Sequence, residues 1–342
     1  MTVNFIARYD PALVAKVTGA VDMLYADGAS AAEDRPPHVL AASGLSAFRE
    51  HLAVIQDDAN WLALIDAQQR VSAVPLPPGP GGQRVFTESR GNVGDKQDFE
   101  ACITVEGAVG PELVAFASCS EPTRVSILRV RERSQAADNQ GFAAEFVKAD
   151  RFYAMLRSQT EFSGAGLNIE GAVTLDAERI VLFQRGNAKP TADLPPTDAT
   201  GEISWAELRA YLDDPEHVAV PTLRNIRRYD LGRLGGVRLT FSDAEHLGQG
   251  HMLYSASAED PASGEVAGSI LGLLEPSGEA RWTRLADQDG SAFRGKIEGL
   301  TSDIHDPRKV HFVIDDDDDS VPSRIYQAAL NDAFFAWRDP AG

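Results

Sequence analysis

The sequence predicts an all-β protein, a five-bladed β-propeller with short peripheral helices, from three observations. Three nearly identical phrases recur along the 342 residues: DFEA at 98–101, NIEG at 168–171 and KIEG at 296–299. Each phrase begins a run of alternating apolar residues, and a second run rich in β-branched and aromatic residues follows it. Repeats of tens of residues are typical of propellers and solenoids. We therefore expect four-stranded blades around a channel that the first strands line.

The strands of each predicted blade follow in order along the chain. First strands are expected to begin near residues 43, 98, 168, 238 and 296. The first and fourth blades contain complete meanders, with later strands at 52–55, 61–65 and 71–74, and at 252–255, 270–274 and 281–285. Second strands of the other blades are expected at 113–117, 180–183 and 310–314.

The last blade is short, so a strand from the N-terminus, within 3–9 or 13–17, is expected to be its outermost strand and to close the ring. A six-bladed alternative requires another first strand within the first 40 residues, for which 20–24 is the candidate. Residues 142–156 have apolar side chains at helical spacing, and Ser204 begins a capping box for a helix through Leu212. Proline-rich loops do not interrupt the repeat, so a single domain over 1–342 is expected.

The composition excludes several classes of partner. The formal net charge is −19 and the pI is near 4.7, so the protein repels nucleic acid and anionic membranes, and no basic stripe is present. Cys102 and Cys119 are the two cysteines, which provide neither a disulfide framework nor a zinc spacing. With no secretory signal near the start of the chain, a cytoplasmic location is expected.

The repeated glutamates predict a metal site in the channel. A buried carboxylate without a partner costs several kcal/mol, so equivalent glutamates in three blades require a shared cation or a wet cavity. The matching positions of the five blades all carry oxygen: Ser43, Glu100, Glu170, Ser242 and Glu298. Oxygen ligands of this number suit calcium, whereas zinc prefers His or Cys. The alternative is a water-filled polar channel whose carboxylates accept hydrogen bonds from backbone amides.

Polar turns after the second strands predict a functional rim. These turns lie near 56–58, 118–124, 184–187, 258–260 and 315–319, and in a propeller they face the same end. Candidate catalytic residues are Asp58 and Glu259, as general bases, and Arg185, which would neutralise developing charge. Candidate ligand-binding residues are Asp57, Arg124, Asn187, Asp260 and Asp315. The alternative is that these are ordinary solvated turns, which are rich in Asp, Asn and Gly.

The same phrases resemble a known family. SGLSAF, AVIQDD with WLALID, DFEA, NIEG, KIEG and RLTFSD are similar to motifs of the calcium-activated nucleotidases, the soluble apyrase family of five-bladed propellers. The resemblance implies that Ser43, Glu100, Glu170, Ser242 and Glu298 point at a channel calcium, and that Asp57 or Asp58, Arg185 and Glu259 lie where that family binds nucleotide phosphates. QRGN after NIEG, and SAED before AGSILGLL, resemble bacterial propeller proteins related to phytase or esterase-like propellers.

These observations lead to one functional hypothesis and two alternatives. The hypothesis is a calcium-binding propeller that hydrolyses a phosphorylated or otherwise anionic small molecule. The first alternative is a noncatalytic propeller that binds a ligand or protein at the rim and uses calcium for stability. The second is a propeller esterase or lactonase.

Overall fold

A computed structural model describes residues 3–132, 141–261, 263–314 and 318–338. Within these residues the chain forms 24 β-strands and three α-helices. The N-terminal strands are β1 (Val3–Ile6), β2 (Arg8–Tyr9) and β3 (Ala15–Asp22). None of the helices in the described ranges is long and apolar enough to cross a membrane.

Antiparallel meanders follow, and each is called a blade below. The first blade comprises β4 (Ala42–Phe48), β5 (His51–Gln56), β6 (Trp61–Ile65) and β7 (Val71–Pro75). The second comprises β8 (Phe99–Glu106), β9 (Pro111–Ala117), β10 (Ser126–Glu132) and β11 (Phe142–Lys148). The third comprises β12 (Ile169–Thr174), β13 (Arg179–Gln184), β14 (Asp198–Ser204) and β15 (Arg224–Asp230).

A short hairpin, β16 (Arg233–Leu234) and β17 (Val237–Arg238), precedes the fourth blade. The fourth blade comprises β18 (Thr240–Gly248), β19 (His251–Glu259), β20 (Val266–Leu274) and β21 (Ala280–Ala286). The fifth comprises β22 (Ile297–Ser302), β23 (Lys309–Ile314), β24 (Arg324–Leu330) and the N-terminal β3. The strands that the sequence predicts lie at these positions, within a few residues, whereas the outer strands of the second, third and fifth blades, other than the N-terminal strand, were not predicted.

The first strands of the blades form a closed ring. β4 packs against β8, β8 against β12, β12 against β18, β18 against β22, and β22 against β4. Each blade extends outward from its first strand through successive antiparallel pairings. The protein is therefore a β-propeller with the first strands around a central channel.

The N-terminal strands pair with the outer edges of three blades. β3 pairs antiparallel with β24, and its residues Ala15 and Lys16 also pair with β21. β1 pairs in parallel with β15, and β2 pairs in parallel with β21. Because an unpaired edge exposes hydrogen-bonding groups, this segment reduces the exposed edge of the outer blades.

Helices α1 (Asp150–Ser158) and α2 (Thr160–Ser163) follow the second blade, and α3 (Trp205–Asp213) lies between β14 and β15. Their buried aromatic side chains join the core of the first three blades, and the Tyr153 hydroxyl donates to the Ala117 carbonyl at 3.0 Å. The Ser204 cap is confirmed, because its Oγ accepts from the Glu207 amide at 3.4 Å. Four 3-10 helices span Pro80–Gly82, Glu88–Arg90, Val93–Asp95 and Asp332–Arg338.

The helix predicted over 142–156 is wrong in its first half. Residues Phe142–Lys148 form β11, which pairs with β10, and the helix begins only at Asp150. Phe142, Ala144 and Phe146 pack against the core at a period of two, which is the period of a strand. The apolar residues of β11 and of α1 together resemble one helical pattern, so the period of two within β11 was not recognised.

Candidate metal centre

A β-bulge explains why the five predicted channel positions are equivalent. In every blade the pairing of the first and second strands skips one residue near the start of the first strand. A bulge leaves its extra residue outside the ladder and redirects the side chain. The skipped residues are Ser43, Glu100, Glu170, Ser242 and Glu298. We call the end of the channel where they lie the upper mouth.

Glycines next to the bulges bring neighbouring first strands close together. A Cβ on Gly299 would lie 2.5 Å from the Leu45 amide nitrogen, and a Cβ on Gly171 would lie 3.0 Å from the Asp243 Cα. Real Cβ atoms do not approach backbone at the first of these distances. The channel is therefore narrow, and side chains of adjacent blades interact across it.

The three bulge glutamates share this narrow space. Glu170 and Glu298 are 5% and 4% exposed. Burial raises the pKa of Glu170 to about 7, although the Arg185 charge opposes the shift. Burial, with the negative charges of Asp57 and Glu170, raises the pKa of Glu100 well above its ordinary value. The Glu298 Oε2 atom is buried and has no hydrogen-bond partner in the structure.

The two bulge serines use their hydroxyl groups within the protein. Ser43 Oγ donates to the Phe99 carbonyl of the next blade at 2.6 Å. Ser242 Oγ shares a hydrogen bond of 2.9 Å with Ser257 Oγ, which in turn lies 2.8 Å from Ser269 Oγ. The serines thus contact neighbouring strands, while the glutamates surround the channel.

An acidic cluster combines one of these glutamates with two aspartates. Carboxylate oxygens of Asp57, Asp98 and Glu100 all lie within 4.8 Å of one another. Burial, with the Asp98 charge, raises the pKa of Asp57 well above its ordinary value, and its buried Oδ1 has no hydrogen-bond partner. Asp98 differs: although burial opposes the shift, a hydrogen bond from Ser118 and the Arg124 charge lower its pKa. Asp57 is on the first blade and the other two are on the second.

Two cations flank this acidic cluster. Lys96 Nζ lies 2.5 Å from Asp57 Oδ2, 3.2 Å from Asp58 Oδ1 and 3.5 Å from Asp98 Oδ1. Arg124 Nη1 lies 2.9 Å from Asp98 Oδ1. Both cations are therefore paired with carboxylates of the cluster.

Arg185 joins the third and fourth blades beside the channel. Its Nη1 lies 3.2 Å from Glu170 Oε1, and its Nη2 lies 2.7 Å from Glu259 Oε2. Its Nε donates to Thr240 Oγ1 at 3.2 Å, so all three guanidinium nitrogens have partners. The side chain is only 4% exposed. Lys296 completes this group, with Nζ 2.6 Å from Glu298 Oε1 and 3.6 Å from Glu259 Oε2.

The family of the chain follows from a match over most of its length. A family model described as a family of unknown function, DUF6929, matches residues 38–330. The chain belongs to the DUF6929 family. No curated protein matches the sequence. The assignment gives no support to kinship with apyrases or phytases, which stays a prediction.

Several solved structures are similar to this DUF6929 chain at low identity. An N-acetylgalactosamine deacetylase from F. plautii, in complex with blood group B trisaccharide, is 10% identical over 97% of this chain and 99% of that chain, with a TM-score of 0.48. A gluconolactonase from Xanthomonas campestris is 10% identical over 94% and 98%, with a TM-score of 0.40. The Pan2 WD40 domain from Neurospora crassa is 11% identical over 94% and 97%, with a TM-score of 0.38. Similarity at this level carries no inference about activity.

The remaining predicted rim residues of this DUF6929 chain have different surroundings. Asn187 Oδ1 accepts from Asn168 Nδ2 at 3.2 Å, which places it beside Glu170. Asp260 Oδ1 accepts from the Ser263 amide at 3.1 Å and stabilises its own turn. Asp315 lies outside the described residues.

An open cavity of about 610 Å³ adjoins the acidic cluster. Asp58 and Lys96 lie in its wall, and Lys96 also contacts Asp57 and Asp98 of the cluster. The other polar side chains of the wall are those of Thr87, Glu88, Ser89, Asp318, Asp319 and Ser323. We call this the acidic cavity, and it is the space in which a ligand could reach the cluster.

Sequence reasoning missed four residues that shape the site: Lys96, Asp98, Asn168 and Lys296. Asp98, Asn168 and Lys296 stand two positions before the repeated glutamates, and so were present in the recurring phrases themselves. Residues two apart in a strand share a face, which was the available signal. Lys96 lies in the loop before β8, the first strand of the second blade, and no repeated phrase includes it.

The donor set fits a hard cation. The cluster offers carboxylate oxygens, and buried oxygens without partners lie nearby on Asn168 and Glu298. Calcium and magnesium bind such oxygens, whereas zinc and copper sites use nitrogen or sulfur. No histidine or cysteine belongs to the group of possible ligands found among the described residues.

Proposed function

We propose that the upper mouth binds a hard divalent cation, calcium, in a single-domain, five-bladed propeller closed by β3. The observation that carries the proposal is the acidic cluster of Asp57, Asp98 and Glu100, whose oxygens lie within 4.8 Å of one another. Calcium accepts six to eight oxygen ligands in flexible geometry, so these carboxylates and waters can supply its shell.

The electrostatic cost of the metal-free site supports a cation there. The raised pKa values of Asp57 and Glu100 reflect burial together with mutual repulsion of the carboxylates. Seven carboxylates surround the mouth (Asp57, Asp58, Asp98, Glu100, Glu170, Glu259 and Glu298), against four cations (Lys96, Arg124, Arg185 and Lys296). With every one of these groups ionised the net charge would be about −3, and a divalent cation would offset two of these charges and favour the ionised carboxylates.

For the activity, the proposal is metal-assisted hydrolysis of a small molecule that carries an ester or phosphoester bond and an anionic group. Calcium would polarise the reacting carbonyl or phosphoryl oxygen. The oxygen of water forms a bond to the acyl carbon or phosphorus, the bond to the leaving oxygen breaks, and the leaving oxygen takes up a proton. Asp58 lies in the wall of the acidic cavity and is the candidate base for the attacking water.

Arg185 and Glu259 have a positioning role in this proposal. The guanidinium of Arg185 is buried, and each of its three nitrogens already contacts Glu170, Glu259 or Thr240, so the protein itself holds the group in place. Glu259 is 33% exposed and holds Arg185 from the other side. Together they fix Glu170 at the channel.

A purely structural calcium is the second candidate, because the acidic cluster joins Asp57 of the first blade to Asp98 and Glu100 of the second. Calcium there would connect the two blades, as the Arg185 ion pairs connect the third and fourth. In this case the rim would bind a ligand or a protein without turnover.

Calorimetric titration with calcium tests the metal site. We expect one bound ion in the wild type, and binding weakened at least tenfold in Glu100→Gln. Glu178→Gln, which changes an exposed glutamate in the turn before β13, is the control and should bind like the wild type. Equal calcium binding by Glu100→Gln and the wild type would refute the site.

A substrate panel tests the activity. Nucleoside diphosphates, phytate, aryl esters and sugar lactones are assayed with calcium and with chelator. Turnover that requires calcium and is lost in Asp58→Asn supports the hydrolase, and the class turned over distinguishes phosphoesterase from esterase or lactonase. Calcium binding without any turnover supports the structural role instead.

A further inference from the structure

A second cavity, of about 460 Å³, opens between the second and third blades beside the upper mouth. Its wall contains residues of the turn after β9, the end of α1, the last residue of α2 with the loop 164–168, and the turn after β13. The polar side chains in the wall are Ser120, Arg157, Ser163, Asn168 and Asn187. In contrast to the acidic cavity, its lining residues, all within the described ranges, include no aspartate or glutamate.

Arg157 brings a positive charge into this cavity. Its Nη2 atom is buried and has no hydrogen-bond partner in the structure. A guanidinium carries five N–H donors, and a buried donor without an acceptor costs roughly 1 to 3 kcal/mol, more for a charged group. This cost is relieved when an anion accepts from the guanidinium, and carboxylate and phosphate oxygens match its planar geometry.

The other groups in the wall leave this charge uncompensated. Cys119 lies next to the arginine, and burial raises the pKa of its thiol to about 12, so the sulfur is neutral at ordinary pH. Ser163 directs its hydroxyl to the Arg157 carbonyl at 3.0 Å and contributes no charge. Lys96, Arg124, Arg185 and Lys296 at the upper mouth, by comparison, all contact carboxylates.

The cavity wall directly contacts the candidate metal centre. Ser120 Oγ donates to Asp98 Oδ2 at 3.2 Å, and Asn168 Nδ2 donates to Glu170 Oε1 at 2.6 Å. The Oδ1 atom of Asn168 is buried without a partner between the two sites. Two residues that line the cavity together with Arg157 therefore contact carboxylates of the channel.

We propose that this cavity, which we call the arginine cavity, is an oxyanion site in which Arg157 binds the carboxylate or phosphate group of a small molecule. Binding of the anion requires no metal. The anionic group would also be part of the molecule that the metal centre hydrolyses, and this second inference rests on the proposed function.

The test uses metal-free full-length protein and simple anions. The dissociation constants of inorganic phosphate and of acetate are measured at constant ionic strength, from the rise in melting temperature, for the wild type, Arg157→Gln, Arg157→Lys and Arg70→Gln. Arg70 is an exposed arginine in the turn between β6 and β7, so its variant has the same change in charge away from the cavity. Crystals soaked in selenate locate the anion by its anomalous signal.

We expect saturable binding in the wild type and in Arg70→Gln, and at least tenfold weaker binding in Arg157→Gln, because charge-assisted hydrogen bonds of about 1.4 kcal/mol or more are lost. Arg157→Lys should retain part of the affinity, since it keeps the charge but loses the planar donor pair. Stronger binding of phosphate than of acetate identifies the phosphate source, and the reverse identifies the carboxylate.

Equal binding by Arg157→Gln and the wild type, no saturable binding of either anion, or selenate only at other positions would each overturn the proposal. A lower melting temperature of Arg157→Gln with unchanged anion affinity would assign the arginine to the end of α1 instead, where a positive charge favours the helix. None of these results depends on calcium, so a failure here is distinct from failure of the metal site.

Discussion

Glu100→Gln should change the stability of the protein in opposite directions with and without calcium. Glutamine has nearly the shape of glutamate but no charge. In the metal-free protein the Glu100 carboxyl is near the negative charges of Asp57, Asp98, Glu170 and Glu298, and burial adds to the cost of its ionisation. Removing the charge therefore relieves the metal-free state, while it removes a ligand from the calcium-bound state.

The magnitude follows from the spacing of the acidic cluster. Two unit charges 4.8 Å apart repel each other by about 3 kcal/mol at an effective dielectric constant of 20. Lys96 and Arg124 offset part of this repulsion, and protonation of Glu100 removes another part. A net gain of about 1 to 2 kcal/mol remains at pH 8, which for a chain of 342 residues corresponds to a rise of roughly 1 to 3 °C in melting temperature.

The assay is thermal unfolding at pH 8, measured in chelator and in millimolar calcium, for the wild type, Glu100→Gln and the control Glu178→Gln. We expect the variant to melt above the wild type in chelator and below it in calcium, with the control following the wild type in both. A variant that melts lower in chelator, or that gains as much from calcium as the wild type, would show that the cluster neither repels nor binds as described.

Three further predictions follow from the same contacts. Between pH 5 and 8 the metal-free protein should lose stability as pH rises. The pKa of Glu170 is about 7 in the folded state and near 4.5 in the unfolded state, so the folded state binds more protons in this window. The free energy of unfolding should therefore fall by up to about 3 kcal/mol across it. Calcium should flatten this profile, and a melting temperature that rises with pH in chelator would contradict the assignment. Arg185→Ala should destabilise the protein by about 3 kcal/mol in urea unfolding, because it leaves Glu170 and Glu259 without their partner; a change below 1 kcal/mol would argue against its positioning role. Gly299→Ala should cost at least about 2 kcal/mol, because the new Cβ would lie 2.5 Å from the backbone of the first blade, whereas Gly94→Ala, with nothing within 4 Å, should be nearly neutral.

The sequence predicted the first and second strands of the blades and the equivalence of the five bulge positions, because both are local and periodic. The repeated phrase marked the bulge residues Glu100, Glu170 and Glu298 in the correct register, and two serines completed the set. The bulge itself was not predicted, because an extra residue in one strand is visible only in the pairing with its neighbour. Because the turns after the second strands lie at one end of a propeller, the sequence predicted Asp57 and Arg185 at the same mouth of the channel.

The partners within the site could not be predicted from the sequence, because they depend on contacts between blades. The serine hydroxyls bond to Phe99 and Ser257 rather than to a channel ligand, which requires knowing the distance between adjacent strands. Lys96 inserts among three aspartates from a loop without repeat or motif. Arg157 lies in a helix outside the repeat, so no comparison among blades identified it.

The acidic cavity and the arginine cavity differ in the charge of the side chains that line them. The acidic cavity has Asp58, Glu88, Asp318 and Asp319 in its wall, and Lys96, the one cation among its described lining residues, is already paired. An anionic group would be repelled there unless calcium were bound, whereas the arginine cavity attracts it with or without metal. A molecule with its anionic end on Arg157 and its neutral end over the channel would satisfy both walls at once. This arrangement predicts that calcium and the ligand bind with positive cooperativity, because the ligand would contact Arg157 through its anionic group and calcium through a neutral oxygen.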